Sequence, residues 1–445
     1  MMIVPTEARP LLVEIAPVFS HPTNQRFVIL LAAAILTTGR RTVANILRTA
    51  GELAPGHRTS YQRVWSQAHW SGLHLACALS RFLIRHLLPT GVVTLAGDDT
   101  VDGHQGKKVF GKARHRDPVR STHSFTAWRY GHKWVTLCVL VRFPFATRPW
   151  ALPVLVTLYL SREWNRQHRR PHRTPAQLMC RLLRLLLRWF PERAFVFVGD
   201  AGYGTHEVAR FVYRHRDRLT LVSKLHPEAN LHAPPPAYGG KGRPRVKGRR
   251  LAKPSTAART RRRQRLKVGW YGGGTRRVEV VTSAGGWYKA GQGLLPIRWV
   301  FVHDRDGTHR DEYFFTTDPT LTPKAIIGYY TARWNIETTF QELRNHLGLE
   351  TTRGWCRKTI LRAAPCLFGL YTAVAILFHY LPQSKRMGGI AWPGKLGVTF
   401  SDALTTVRRW LWSDWVFPHT PGGPAIEKLP KPLRELLLTA LAPAA

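Results

Sequence analysis

The chain has 445 residues, 44% of them hydrophobic, and 67 Lys and Arg against 26 Asp and Glu give it a formal charge of +41. Its apolar content excludes a disordered basic tail and suffices for two or three domains with real cores. The charge excess repels itself until a polyanion neutralises it, which favours nucleic acid, whose phosphates do so while releasing counterions.

Residues 1–90 are expected to be a helical DNA-binding region. TVANILRTA, a turn through ELAPG, and HRTSYQRVWSQAHW have helix, turn, helix spacing, and the second helix offers Arg58, Tyr61, Gln62, Arg63 and Trp65 to base edges and phosphates. GVVTLAGDDT then reads as a buried strand ending in Asp98 and Asp99. KWVTLCVLV and WALPVLVTLYL follow as strands, and PAQLMCRLLRLLLRWF as a helix with Arg181, Arg184 and Arg188 along one side. RAFVFVGDAGYG repeats the first pattern, a buried strand running into Asp200 and a glycine turn, with a helix beginning near Thr205.

Between Lys241 and Lys267 lie thirteen basic residues and no acidic one. Such a run is expected to be a solvated insertion and a phosphate-contact surface, with Arg261, Arg262, Arg263 and Arg265 at its centre. The strand-like RRVEVVTSA, IRWVFVHD and EYFFTTD come next, so residues 234–318 read as a β-rich insertion dividing an α/β domain into residues 91–233 and 319–382. Residues 383–445 are expected to be a C-terminal helical region.

YYTARWNIETTFQELRNHLG, Tyr329 to Gly348, is expected to be a single helix. At about 100° per residue, Tyr330, Arg333, Glu337 and Arg344 share one stripe, beside an apolar stripe of Ile336, Phe340, Leu343 and Leu347. A solvated face with an Arg333–Glu337 ion pair explains that spacing equally well. Asp98 (or Asp99), Asp200 and Glu337, taken together in so basic a chain, are the carboxylates that could hold two hard cations for attack on phosphate. Oxygen ligands of this kind select Mg²⁺ or Mn²⁺.

The five cysteines form no C-x-x-C pair and make an odd total, which fits a reducing, cytoplasmic setting. The twenty histidines are scattered, and surface or phosphate-facing roles are expected for them, with no zinc site. Phe27 to Leu36 lacks the flanks of a signal peptide. Ala363 to Leu381 has no formal charge but contains Pro365, Gly369 and His379; it is expected to be a buried helix, with no membrane association.

YTARWNIETTFQELR resembles the Y-x2-R-x3-E-x6-K signature of DDE-type, cut-and-paste transposases of bacterial insertion sequences, with Arg344 at the lysine position. The D-D-T after the first strand, the second strand before Asp200, and TTRGW extend the resemblance over roughly Val92 to Leu381. It implies an RNase H-like catalytic domain, a mixed sheet flanked by helices, with Asp98, Asp200 and Glu337 as metal ligands and Asp99 as second choice to Asp98. Arg333, Arg344 and Tyr330 would contact DNA phosphates. The implied partners are double-stranded DNA at the element's terminal inverted repeats and at the target, bound by a dimer. The implied reaction passes through a DNA hairpin, with Trp287 or Trp299 available to stack on a flipped base. A DNA-binding protein without chemistry, and a nuclease that cuts without joining, are the alternatives.

Overall fold

The computed structural model describes residues 5–443, apart from 118, 119, 241, 387, 388, 390–392 and 422. Lys241, the first residue of the basic run, therefore lies outside the described residues. Five helices lead the chain: α1 (Arg9–Ile15), α2 (His21–Leu36), α3 (Val43–Ala50), α4 (Arg58–Ser66) and α5 (Gly72–Leu87). The α3–turn–α4 pair forms as expected. Tyr61 and Val64, however, face inward, Trp65 is half-buried, and only Arg58, Gln62 and Arg63 of α4 are exposed.

An antiparallel group follows: β1 (Val93–Gly103), β2 (Ala113–Arg116), β3 (Trp128–Val141) and β4 (Trp150–Tyr159). After α6 (Arg162–Gln167) and α7 (Pro175–Trp189), the chain enters β5 (Phe195–Gly199), crosses through α8 (His206–Tyr213), and continues into β6 (Leu219–Lys224). Both β5 and β6 run parallel to their neighbours, β5 beside β1 and β6 beside β5. The order β4-β3-β1-β5-β6, antiparallel then parallel, is that of an RNase H-like sheet. Burial explains the composition: all five residues of β5 are buried, as parallel strands covered on both faces require. α7 begins at a Thr174–Gln177 capping box and turns Leu182, Leu183, Leu186 and Leu187 inward, leaving Arg181, Arg184 and Arg188 outside.

The insertion contributes β7 (Leu231–His232), α9 (Pro254–Thr260), β8 (Gln264–Gly269), β9 (Thr275–Lys289), β10 (Gly293–Asp304) and β11 (Glu312–Thr316). It does not stand apart from the RNase H-like sheet. β11 pairs antiparallel with β6 at Phe314↔Lys224, Phe315↔Ser223 and Thr316↔Val222, so the strands form one eleven-stranded sheet. The second half of the basic run is ordered as α9 and β8, a charged edge beside β9.

The chain closes with α10 (Pro323–Arg333), α11 (Asn335–Asn345), α12 (Arg357–Tyr380), α13 (Phe400–Leu411), α14 (Gly423–Glu427) and α15 (Lys431–Leu441). α12 is long and apolar enough to cross a membrane, yet 67% of its most apolar window is buried and it packs on β4, α4, α5 and α13. One hydrophobic cluster joins the N-terminal helices, the sheet, α12 and α13.

The single helix expected over 329–348 is broken at Trp334. Its causes are local hydrogen bonds that compete with the helical ladder. Thr331 Oγ1 donates to the carbonyls of Ile327 and Gly328, and Asn335 Nδ2 donates to that of Ala332. The Trp334 and Glu337 amides reach back only three residues. The apolar stripe is as expected, with Ile336, Phe340, Leu343 and Leu347 buried.

Candidate active site

Gly97 of β1 and Gly199 of β5 are register partners at the end of the parallel pairing. Asp98 and Asp200 are the next residues on two adjacent strands, so the sheet itself places them side by side. Each preceding glycine is required by packing. A Cβ at Gly97 would lie 2.5 Å from the Phe197 ring, and one at Gly199 would lie 2.6 Å from Cβ of Tyr203. β1 continues to Gly103, so Asp98 lies inside the strand rather than at its end.

Asp200 Oδ1 accepts from the amides of Gly202 (2.9 Å) and Tyr203 (3.3 Å), while the Ser223 hydroxyl donates to the carbonyls of Gly199 and Asp200. The two aspartates of the D-D pair face different partners. Asp98 Oδ2 accepts from Arg333 Nη1 at 2.7 Å. Asp99 is held by Lys133 Nζ at 2.9 Å and by the Tyr203 hydroxyl at 3.4 Å.

Arg333 ends α10, and its Nη2 donates to Glu337 Oε1 at 3.1 Å. One guanidinium thus bridges Asp98 and Glu337, and the two carboxylates stand no farther apart than its width plus two hydrogen bonds. The break at Trp334 puts Glu337 in the first turn of α11, where it is 47% exposed. Burial, reinforced after Arg333's opposing pull by Asp200 and Asp99, pushes the Asp98 carboxyl up to about 7. Burial also works against the Arg333 charge, but Asp98, Tyr330 and Glu337 outweigh it and hold the guanidinium above its ordinary range.

The other expected site residues fall elsewhere. Tyr330 is buried and stacked on Phe314 at 4.2 Å, so it shelves Arg333 rather than facing solvent. Arg333 itself is buried between carboxylates and offers no free fork to a phosphate. Arg344 hydrogen-bonds Thr100 and lies 3.5 Å from Glu350. Arg261, Arg262, Arg263 and Arg265 are exposed, the last two beside Glu279. Trp299 is 1% exposed and cannot stack on a base; Trp287 packs against His206 and Phe315. Among the exposed rings are Trp128, Trp334 and Trp355. A further basic groove of about 520 Å³ runs between α7 and α8, lined by Arg173, Arg181, Arg184, Arg210 and Arg214. Lys133 and Tyr203 escaped sequence reading because the β1–β3 register brings the one to Asp99, and the turn after β5 brings the other.

The donor set of Asp98, Asp200 and Glu337 is all carboxylate oxygen, which suits Mg²⁺ or Mn²⁺. Arg333 between two of them supplies positive charge of the kind such a cation would bring, so the donor chemistry fits a divalent metal, although the three carboxylates are not drawn together to ligand distance with Arg333 between them.

The family model for DDE superfamily endonucleases matches residues 14–277, more than half of the chain and a span that includes Asp98 and Asp200. The chain belongs to the DDE superfamily of endonucleases. A second model, described as archaeal putative transposase ISC1217, matches residues 246–379 of this endonuclease, the span containing Glu337. Among solved structures, the chain is similar to a piggyBac transposase synaptic complex with hairpin DNA determined by cryo-EM. The two share 12% identity with a TM-score of 0.43, over 95% of this chain and 77% of that one. No curated protein matches the chain in sequence.

Proposed function

We propose that this endonuclease is a DNA transposase that cleaves and joins the ends of an insertion sequence, with Asp98, Asp200 and Glu337 as its metal-binding carboxylates. The observation that carries the reading is the Arg333 bridge from Asp98 to Glu337, beside Asp200 at the end of the adjacent parallel strand. A pair of divalent cations bound there would supply Lewis acidity and a neutral-pH nucleophile for in-line attack on phosphate. Arg333 compensates two acids that would otherwise repel one another and DNA. Lys133 and Tyr203 hold Asp99 away from that pair and fix β1 against the turn after β5. The exposed Arg261 to Arg265 edge and the groove between α7 and α8 provide the phosphate contacts that position a duplex. The resemblance of the α10–α11 residues to the Y-R-E-K signature supports joining as well as cutting, through a hairpin and in a dimeric complex of two ends.

The test is Glu337→Ala assayed with Mg²⁺ on DNA carrying the terminal repeats that flank the coding sequence. Cleavage and joining are expected to vanish while gel-shift affinity stays within about twofold. Cleavage at the wild-type rate would overturn the assignment.

A further inference from the structure

Farther along β1, a second cluster has different chemistry. Asp102 and His132 are register partners across β1 and β3, and His104 follows two residues after Asp102. The side chains of Asp102 and His132 are fully buried, and that of His104 is 7% exposed. The Asp102 carboxylate is held in place by the His132 amide at 2.9 Å and by Trp134 Nε1 at 3.0 Å. Gly131 permits the approach, because a Cβ there would collide with the Asp102 carbonyl oxygen.

The tautomer of His132 follows from its surroundings. Its Nε2 lies 2.9 Å from the Phe110 carbonyl, which can only accept, so Nε2 carries the proton. Nδ1 of the neutral ring is then a bare lone pair. It is buried with no hydrogen-bond partner and lies 3.5 Å from Asp102 Oδ1. A lone pair facing a carboxylate in the interior calls for a cation between them. A proton there would draw the pair to about 2.7–2.9 Å. Metal bonds of about 2.0–2.1 Å in tetrahedral array instead separate ligand atoms by about 3.3 Å. His132 Nδ1 lies 3.5 Å from Asp102 Oδ1 and His104 Nε2 lies 3.4 Å from Asp102 Oδ2, each nearer the second spacing than the first, and one ligand atom from each of the three residues lies within 4.8 Å of the other two. The Nε2–H donated to a backbone carbonyl is also the outer contact that orients a metal-bound histidine.

We propose that Asp102, His104 and His132 bind one zinc ion, with water in the fourth position, separate from the carboxylate centre. Two imidazoles select zinc over magnesium. The ion joins the far ends of β1 and β3 and so fixes the strand that carries Asp98. It stands whether or not the protein transposes DNA.

The experiment is a cobalt titration of untagged full-length protein, stripped by a chelator and dialysed. In excess Mg²⁺, one equivalent of Co²⁺ is expected to bind with the intense visible bands of a four-coordinate ion and to be displaced by Zn²⁺. Asp98→Asn should keep the bands. His104→Gln and His132→Gln should each weaken binding more than about 100-fold. Absence of the bands in the wild type, which requires no variant, would overturn the site, as would bands that survive in both histidine variants. Cobalt held only by scattered surface histidines, equally in all variants and without four-coordinate bands, would overturn it too.

Discussion

Asp98 and Asp102 stand on the same face of β1, about 13 Å apart along the strand, and their charges are balanced in different ways. Asp98 is paired with Arg333, a buried cation that also bonds Glu337, and Glu337 is half in solvent. Asp102 is enclosed by two histidines and a tryptophan, and one histidine nitrogen is left unpaired. Among the described residues only the second group has ligand spacing close enough for a metal. An open, oxygen-only group suits ions that come and go with substrate, and a closed nitrogen-bearing group suits a resident one.

The largest effect that tests this contrast is on rate. Asp98→Asn should lower Mg²⁺-dependent DNA cleavage more than about 1000-fold while leaving cobalt binding at the Asp102 cluster unchanged. Loss of both properties in a strand-cleavage assay and a cobalt titration would merge the two groups into one.

Arg333→Ala removes the cation between Asp98 and Glu337. Breaking so buried a pair should cost about 3 kcal/mol in metal-free protein, and Mg²⁺ should raise the melting temperature of the variant more than that of the wild type. Equal shifts in a calorimetric scan would show that Arg333 does not stand in for a metal.

The proton on Asp98 predicts a smaller effect. In the folded chain burial, opposed by Arg333 but reinforced by the Asp200 and Asp99 charges, holds that proton up to about pH 7, against an ordinary value of 3.8. The folded state therefore binds more protons than the unfolded state across this window, and its stability falls as pH rises through it. Denaturant melts in a chelator between pH 5 and 8 should show a loss on the order of 2 kcal/mol, which Asp98→Asn flattens.

The smallest effect is on salt dependence. Replacing Arg261, Arg262, Arg263 and Arg265 with alanine should reduce the slope of log affinity against log salt by about 2 rather than by nearly 4, because Arg263 and Arg265 already lie beside Glu279. An unchanged slope in binding curves at several salt concentrations would remove this edge from the DNA interface.

Much of the carboxylate site was legible in the sequence because it rests on a repeated local pattern. An apolar run followed by Gly-Asp occurs twice, and parallel pairing of the two runs brings their ends together. The Arg333–Glu337 contact was visible as an i,i+4 pair, but the Asp98–Arg333 bond crosses 235 positions and has no local signal. The break at Trp334 was hidden by a continuous helical periodicity, since Thr331 is also tied to Gly269 of the insertion. The Asp102 cluster was missed because histidines separated in sequence look scattered until antiparallel register sets His132 opposite Asp102.

The three-pair joint between β11 and β6 gives the sheet a mechanical role. Ser223, the middle residue of that joint on β6, also holds the Asp200 turn through its hydroxyl. Three rungs and one side chain thus connect the insertion to the backbone under a proposed metal ligand. The joint ties the strand that leads back from the insertion to the turn that carries Asp200.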